Sequence, residues 1–329
     1  MTDIKRIEFI DLAKGICILL VVLLHIGIDV NFWGTTSMRM PLYFVLSGLF
    51  FKDYGSLYNL LIKKTNRLII PFLFFYLLGY AVYYGVNLVV YPRPIYGVFD
   101  AEMIFSLFMP QRRVYFNGPI WFLLSLFWAN LLFGIISLKV KKEAWRAVIV
   151  VLLGTLGYFL GQYRIFLPFM ADIAFSALPY FYLGYILRKS PLLYPNAYDK
   201  YNLLIALGLY VVAAAIDYFF ACPRIWFHFN IYYGNAILAF LLSATSVGAV
   251  LFLCKAVGKL PIISYIGRYS IIFLGFHHLV FRHLFFIFDE TVIRDKWIVA
   301  GLTILICLIT IPVCKKYIPW FVAQKDLIH

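Results

Sequence analysis

Runs of about 20 apolar residues recur along almost the whole of this 329-residue chain, and that feature leaves few folds open. Each run is long enough to cross roughly 30 Å of hydrocarbon as an α-helix. No water reaches the bilayer core to satisfy backbone amides, so only helices and closed barrels span it. A barrel needs ~10-residue segments of alternating polarity, and the sequence has none. The chain is therefore predicted to be an all-α integral membrane protein. Hydropathy places about ten transmembrane helices near residues 8–30, 39–52, 67–91, 119–138, 145–162, 172–188, 202–220, 233–254, 268–286 and 297–314. The first run is too long for a signal-peptide core and lacks a small-residue cleavage site, so it is expected to remain as the first helix. With no repeat and no polar appendage, residues 1–329 read as a single transmembrane domain without an added soluble domain.

The net charge of +14 invites a nucleic-acid partner, but the placement of the charges argues against one. With the N-terminus in the cytoplasm, 19 Lys and Arg fall in inner segments and 9 in outer ones. That bias is the positive-inside rule, and it puts both termini in the cytoplasm. The basic balance is thus mostly topology, with some attraction for membrane lipid or a polyanionic cosubstrate. Five cysteines show neither CxxC pairing nor metal-ligand spacing, so neither a disulfide framework nor a metal site is expected. The longest loop, about residues 92–118, is rich in Pro, Tyr and Arg, and at that length it is expected to be a functional cover.

The first predicted helix contains "IDLAKGICILLVVLLHIG", with Asp11, Lys14 and His25 inside an apolar run. Polar groups in hydrocarbon cost several kcal/mol unless paired or wetted, which makes them functional candidates. Lys14 and His25 are eleven residues apart, which is three turns plus about 20°, so they share a face. Asp11 lies on the same stripe and can pair with Lys14 at i,i+3. Asp29, one turn beyond His25, is placed to orient its ring. Asp11 and Lys14 can also be read as interfacial, with Lys14 snorkelling to headgroup level. His25 is expected too deep for that reading.

Further blocks follow in order: "MRMPLYFVLSGLF" with Arg39, Ser47 and Gly48; "KKTNRLIIP" in an inner loop; "NGPIWFL"; "FYLGYILRK"; and "IGRYSIIFLGFHH". Together with the first segment they resemble the acyltransferase-3 family of integral membrane acyltransferases, from about Arg6 to Arg282. The first segment is most like the sugar O-acetylase branch typified by fucose 4-O-acetylase. The family signature in the first helix is an arginine, ten residues, then a histidine; here the histidine is His25 and Lys14 stands at the arginine position. Lysine keeps the charge but loses the planar bidentate fork. Gly267, Ser270 and His277 match the family's Gly-x-x-Ser followed seven residues later by His.

The resemblance implies acetyl-CoA as acyl donor, a carbohydrate or lipid-linked glycan hydroxyl as acceptor, no metal, and a bacterial inner-membrane location. Transfer to an alcohol needs a base, and imidazole suits the task. His25 is expected to be that base, or a nucleophile that carries the acyl group transiently. Lys14, His277 and Ser270 complete the expected catalytic set. Ser47, Ser270, His277 and Asn117 are candidate donors to the oxyanion. Lys14, Lys63, Lys64 and Arg67 are expected to pair with CoA phosphates, although inner loops are basic for topology alone. Asp11, Arg39, Ser47, Asn117 and Trp121 are the expected acceptor contacts. Aromatic residues at the outer boundaries, including Tyr91, Tyr96, Tyr115, Trp226 and Tyr232, are mostly explained by the interfacial belt. Some family members carry an extra extracellular domain; this chain is expected to act alone or with a separate extracytoplasmic partner. A transporter or flippase, including one for amino-acid uptake, is the competing class, since intramembrane charges also mark ion and substrate paths.

Overall fold

The computed structural model describes residues 7–30, 35–90, 114, 116–188, 190 and 199–328. Most of the loop expected at 92–118, with Tyr91, Tyr96 and Tyr115, lies outside the described residues. The helices are α1 Glu8–His25, α2 Thr35–Leu49, α3 Leu57–Lys64, α4 Ile70–Val90, α5 Trp121–Lys139 and α6 Glu143–Gln162. They continue as α7 Ala171–Leu187, α8 Asn202–Phe219, α9 Ala236–Val257, α10 Pro261–Arg268, α11 Ser270–Leu284 and α12 Ile293–Tyr317. One two-stranded hairpin, β1 Arg224–Trp226 and β2 Ile231–Tyr233, sits between α8 and α9.

Among the described residues, seven helical stretches are long and apolar enough to cross a membrane: Leu57–Val86, Gly118–Lys139, Glu143–Gln162, Pro168–Leu187, Asn202–Phe219, Ala236–Val257 and Ile293–Tyr317. Their outward faces are apolar. On α6, Val148, Val151 and Leu152 are exposed, as are Leu203, Leu204, Leu207 and Val211 on α8. In a bilayer such side chains meet lipid tails as apolar as themselves. The other three expected crossings correspond to α1, α2 and α11. Helix α1 has 18 residues and carries Glu8, Asp11 and Lys14, while α2 and α11 have 15 residues each. A 15-residue helix is about 22 Å long. Asp11, Lys14, His25, Arg39, Ser47, Ser270 and His277 therefore lie on the short or charged helices, while Lys63, Lys64, Arg67 and Trp121 lie on two of the seven apolar stretches.

Three sequence expectations change in detail. Helix α1 ends at His25 rather than near residue 30, and Gly27 follows it at φ 80°. The "KKTNR" stretch is not a loop. Ser56 caps α3 by accepting from the Asn59 amide, and α3 runs through a π turn, Thr65–Ile69, into α4. Pro71 has no N–H and its ring crowds the carbonyl four residues back, so widening that turn lets the helix continue. The segment expected at 268–286 as one helix is divided at Tyr269, with Gly267 and Ser270 on either side of the break.

The chain forms two compact units: Met1–Phe50, Tyr180–Trp226 and Tyr232–Phe273 in the first, and Phe51–Pro179, Phe227–Ile231 and Leu274–His329 in the second. In the first, α1 packs against α2, α9 and α10, and α8 lines α9. Small residues let the backbones meet. A Cβ on Gly15 would strike the Ile263 carbonyl, and one on Gly267 would strike the Asp11 carbonyl. Gly48 and Gly184 make the same reciprocal contact between α2 and α7. Bilayer helices associate through such close packing, because lipid removes the hydrophobic drive. The second unit is closed by a buried polar node. Asn230 Nδ2 donates to the Gly157 carbonyl (3.1 Å) and to Asp172 Oδ2 (3.4 Å), while its Oδ1 accepts from Ser176 Oγ (2.7 Å). Asp172 Oδ1 in turn accepts from the Leu167 amide at 3.1 Å, satisfying a donor at the start of α7.

Candidate active site

In the first unit, the glycine crossing of α1 on α10 assembles a polar cluster around Asp11. Asp11 is buried, and its carboxylate lies 4.0 Å from Lys14 Nζ and 3.8 Å from Arg268 Nε. Arg268 Nη2 also reaches Glu8 Oε1 at 3.5 Å, and Lys259 Nζ reaches the same oxygen at 3.5 Å. Lys14 lies over the Phe50 ring, 5.9 Å from its centroid. The i,i+3 pairing expected of Asp11 and Lys14 is present. Arg268 was not anticipated as a member. It follows Gly267 directly, and because Gly267 lets α10 reach the α1 backbone, its neighbour lands on Asp11.

A second group joins α1, α2 and the start of α11. The Tyr43 hydroxyl donates to the Lys14 carbonyl at 3.2 Å and lies beside the side chains of Cys17 and Ser270. The Cys17 thiol donates to the Arg39 carbonyl at 3.0 Å. Arg39 is 4% exposed, and its Nη2 is 3.6 Å from Asp29 Oδ1, beyond hydrogen-bond reach. Its Nε and Nη2, the two nitrogens of one guanidinium edge, are buried without a hydrogen bond. That edge is the fork that grips carboxylates, phosphates and oxyanions in parallel bonds. Ser47 is half-buried on the same helix. His25 is the last residue of α1 and is exposed. It stands at one end of the helix rather than deep within it, and Asp29, expected to orient its ring, is engaged with Arg39.

In the second unit, Asn117 and His277 are both fully buried. Asn117 Nδ2 donates to the Gly275 carbonyl at 2.7 Å, and its Oδ1 is buried without a hydrogen bond. One Nδ2 hydrogen is committed there, and the atom left without a partner, Oδ1, is an acceptor. His277 packs its ring 6.3 Å from Phe281 on α11, two turns beyond Ser270. Trp121, 7% exposed, stacks on His228 with centroids 5.2 Å apart and planes 11° apart. His228 was not anticipated; only its setting among aromatics in "IWFHFN" marks it. Lys64 lies 5.7 Å over the Tyr54 ring, whose phenol is pushed up by burial and pulled back by Arg67. Lys63 and Arg67 both reach Asp326, at 2.7 and 3.2 Å.

The acyltransferase-3 family model, an acyltransferase domain, matches residues 7–314. The chain belongs to the acyltransferase-3 family. Neither a curated protein nor a solved structure matches it. The family and the seven apolar helices together make this protein a membrane acyltransferase. The matched stretch of this acyltransferase runs from the start of α1 into the last turn of α12. It takes in every candidate residue named from the sequence, and leaves Asp326 outside.

Proposed function

We propose that the protein is an O-acetyltransferase of the sugar O-acetylase type, moving an acetyl group from cytoplasmic acetyl-CoA to a hydroxyl of an envelope glycan. The acceptor is a carbohydrate or lipid-linked glycan, the setting a bacterial inner membrane. In this reading ten segments cross the bilayer, α1, α2 and α11 among them, and both termini face the cytoplasm. One observation carries it. On α1, Lys14, paired with Asp11, lies three turns from His25 on the same face, a rise of about 16 Å. A polar stripe of that length suits a donor whose phosphates stay at one membrane face while its thioester reaches toward the other.

His25 takes the proton of the acceptor hydroxyl as its oxygen attacks the thioester carbonyl. The tetrahedral oxyanion is stabilised by hydrogen-bond donors, for which the unmade edge of Arg39 is suited. Collapse expels the CoA thiolate, which takes the proton back from the imidazolium. In the alternative order His25 attacks the thioester itself and passes the acetyl group on. Lys14, Lys63, Lys64 and Arg67 are the proposed CoA-phosphate contacts. Ser47, Asn117 and Trp121 are the proposed acceptor contacts, and Ser270 and His277 the proposed further members of the catalytic set.

The test is transfer of labelled acetyl from acetyl-CoA to envelope polysaccharide in proteoliposomes. Wild type should label the glycan; His25→Ala and Lys14→Ala, inserted and folded, should not. Label held on the wild-type protein but absent from His25→Ala selects the acyl-carrier order. Full activity in both variants would refute the helix-one site, and a gradient-driven flux without acetyl transfer would establish the transporter reading instead.

A further inference from the structure

We propose that the segment 319–328 is an autoinhibitory strap that holds a carboxylate where an acyl-donor phosphate binds, so that strap and acyl-CoA exclude one another. This inference rests on the reading of Lys63 and Arg67 as phosphate contacts. Asp326 Oδ2 lies 2.7 Å from Lys63 Nζ, and its Oδ1 lies 3.2 Å from Arg67 Nη2. A carboxylate shared by an ammonium and a guanidinium offers them the charge and oxygen spacing of a phosphate edge. Lys63 and Arg67 are 42% and 39% exposed, so an anion from water can reach them.

The placement of Asp326 does not depend on this pairing alone. Asn66, 1% exposed on the π turn, clamps the strap's backbone. Its Oδ1 accepts from the Leu327 and Ile328 amides at 2.7 and 2.8 Å, and its Nδ2 donates to the Ile328 carbonyl at 2.8 Å. Arg67 Nη1 donates to the Ala323 carbonyl, Phe321 stacks on Phe74 at 5.3 Å, and Val322 is fully buried. Arg67 is therefore held twice by the strap, once through its carbonyl and once through its carboxylate. A phosphate that takes up both cations must displace Asp326, because two anions cannot share one cation pair without repulsion. The segment lies beyond the residues matched to the family, 7–314, so the device is additional to the shared catalytic domain.

The experiment is equilibrium binding of acetyl-CoA to the full chain in nanodiscs, with hydrogen exchange followed at the Leu327 and Ile328 amides. Asp326→Asn keeps the shape and removes the competing charge; it should tighten acetyl-CoA binding about fivefold, about 1 kcal/mol for two partly exposed pairs. Saturating acetyl-CoA should speed exchange of both amides in the wild type. Unchanged or weaker binding in Asp326→Asn, with Lys63→Ala and Arg67→Ala still weakening it, would overturn the strap and leave the donor site standing. Binding indifferent to Lys63→Ala and Arg67→Ala would instead remove the donor-site reading, and the strap with it. Exchange unaltered by acetyl-CoA would overturn the displacement directly.

Discussion

Gly267→Ala tests how α10 delivers Arg268 to Asp11. A Cβ at Gly267 falls on the Asp11 carbonyl oxygen, 2.5 Å from the Gly15 nitrogen and 2.8 Å from the Asp11 carbonyl carbon. Favourable carbon contacts lie at about 3.5–4.0 Å, and the nearest atom, the Asp11 carbonyl oxygen, would be at 1.8 Å, so α10 must retreat from α1 by roughly 1.5–2 Å. Both walls are backbone and cannot turn aside as a side chain would. Overpacking of this kind costs about 1–3 kcal/mol. The retreat also lengthens the Arg268 pairs with Asp11 and Glu8, now 3.8 and 3.5 Å, which contribute a few tenths of a kcal/mol each. The expected loss is about 2 kcal/mol, measured by reversible unfolding in mixed micelles. Gly208→Ala and Gly301→Ala are the controls, since a Cβ at either meets nothing within 4 Å. They should be neutral or stabilise by up to about 1 kcal/mol through reduced backbone freedom. Acetyl transfer should fall in Gly267→Ala and hold in both controls. A Gly267→Ala protein as stable as Gly208→Ala would refute the reasoning.

Asn230→Ala should destabilise by roughly 2 kcal/mol, because it takes the partner of the Ser176 hydroxyl and a donor to Asp172 out of a buried node. Asn230 sits at φ 51°, so Asn230→Gly should lose about 1 kcal/mol less than the alanine variant; equal losses would remove the backbone contribution. Arg39→Leu removes a buried guanidinium whose Nε and Nη2 make no hydrogen bond, so it should leave stability within about 1 kcal/mol of wild type while lowering acetyl transfer at least tenfold. A large loss of stability with transfer per folded molecule unchanged would make Arg39 structural.

Much of the architecture was legible because it follows from local chemistry. Apolar length and charge bias mark where helices must lie, and α5 to α9 and α12 fall within a few residues of the expected bounds. The boundaries that moved are those set by single backbone events: the Ser56 cap and the π turn ahead of Pro71, the turn at Gly27, and the break at Tyr269. Helical spacing was enough to pair Asp11 with Lys14. It was not enough for partners that arrive from elsewhere in the chain.

By itself the sequence determined a membrane-embedded helical chain, its family resemblance, and a polar stripe on the first helix, since composition and helical period act over neighbouring residues. Only the tertiary structure decided that Arg268 shares Asp11, that Tyr43 bonds Lys14 beside Ser270, and that Asp326 lies on Lys63 and Arg67. Those contacts join residues up to 263 positions apart. They depend on where glycine lets two backbones touch and where a side chain such as Asn66 pins a passing strand of backbone. No local pattern of hydrophobicity or charge encodes either.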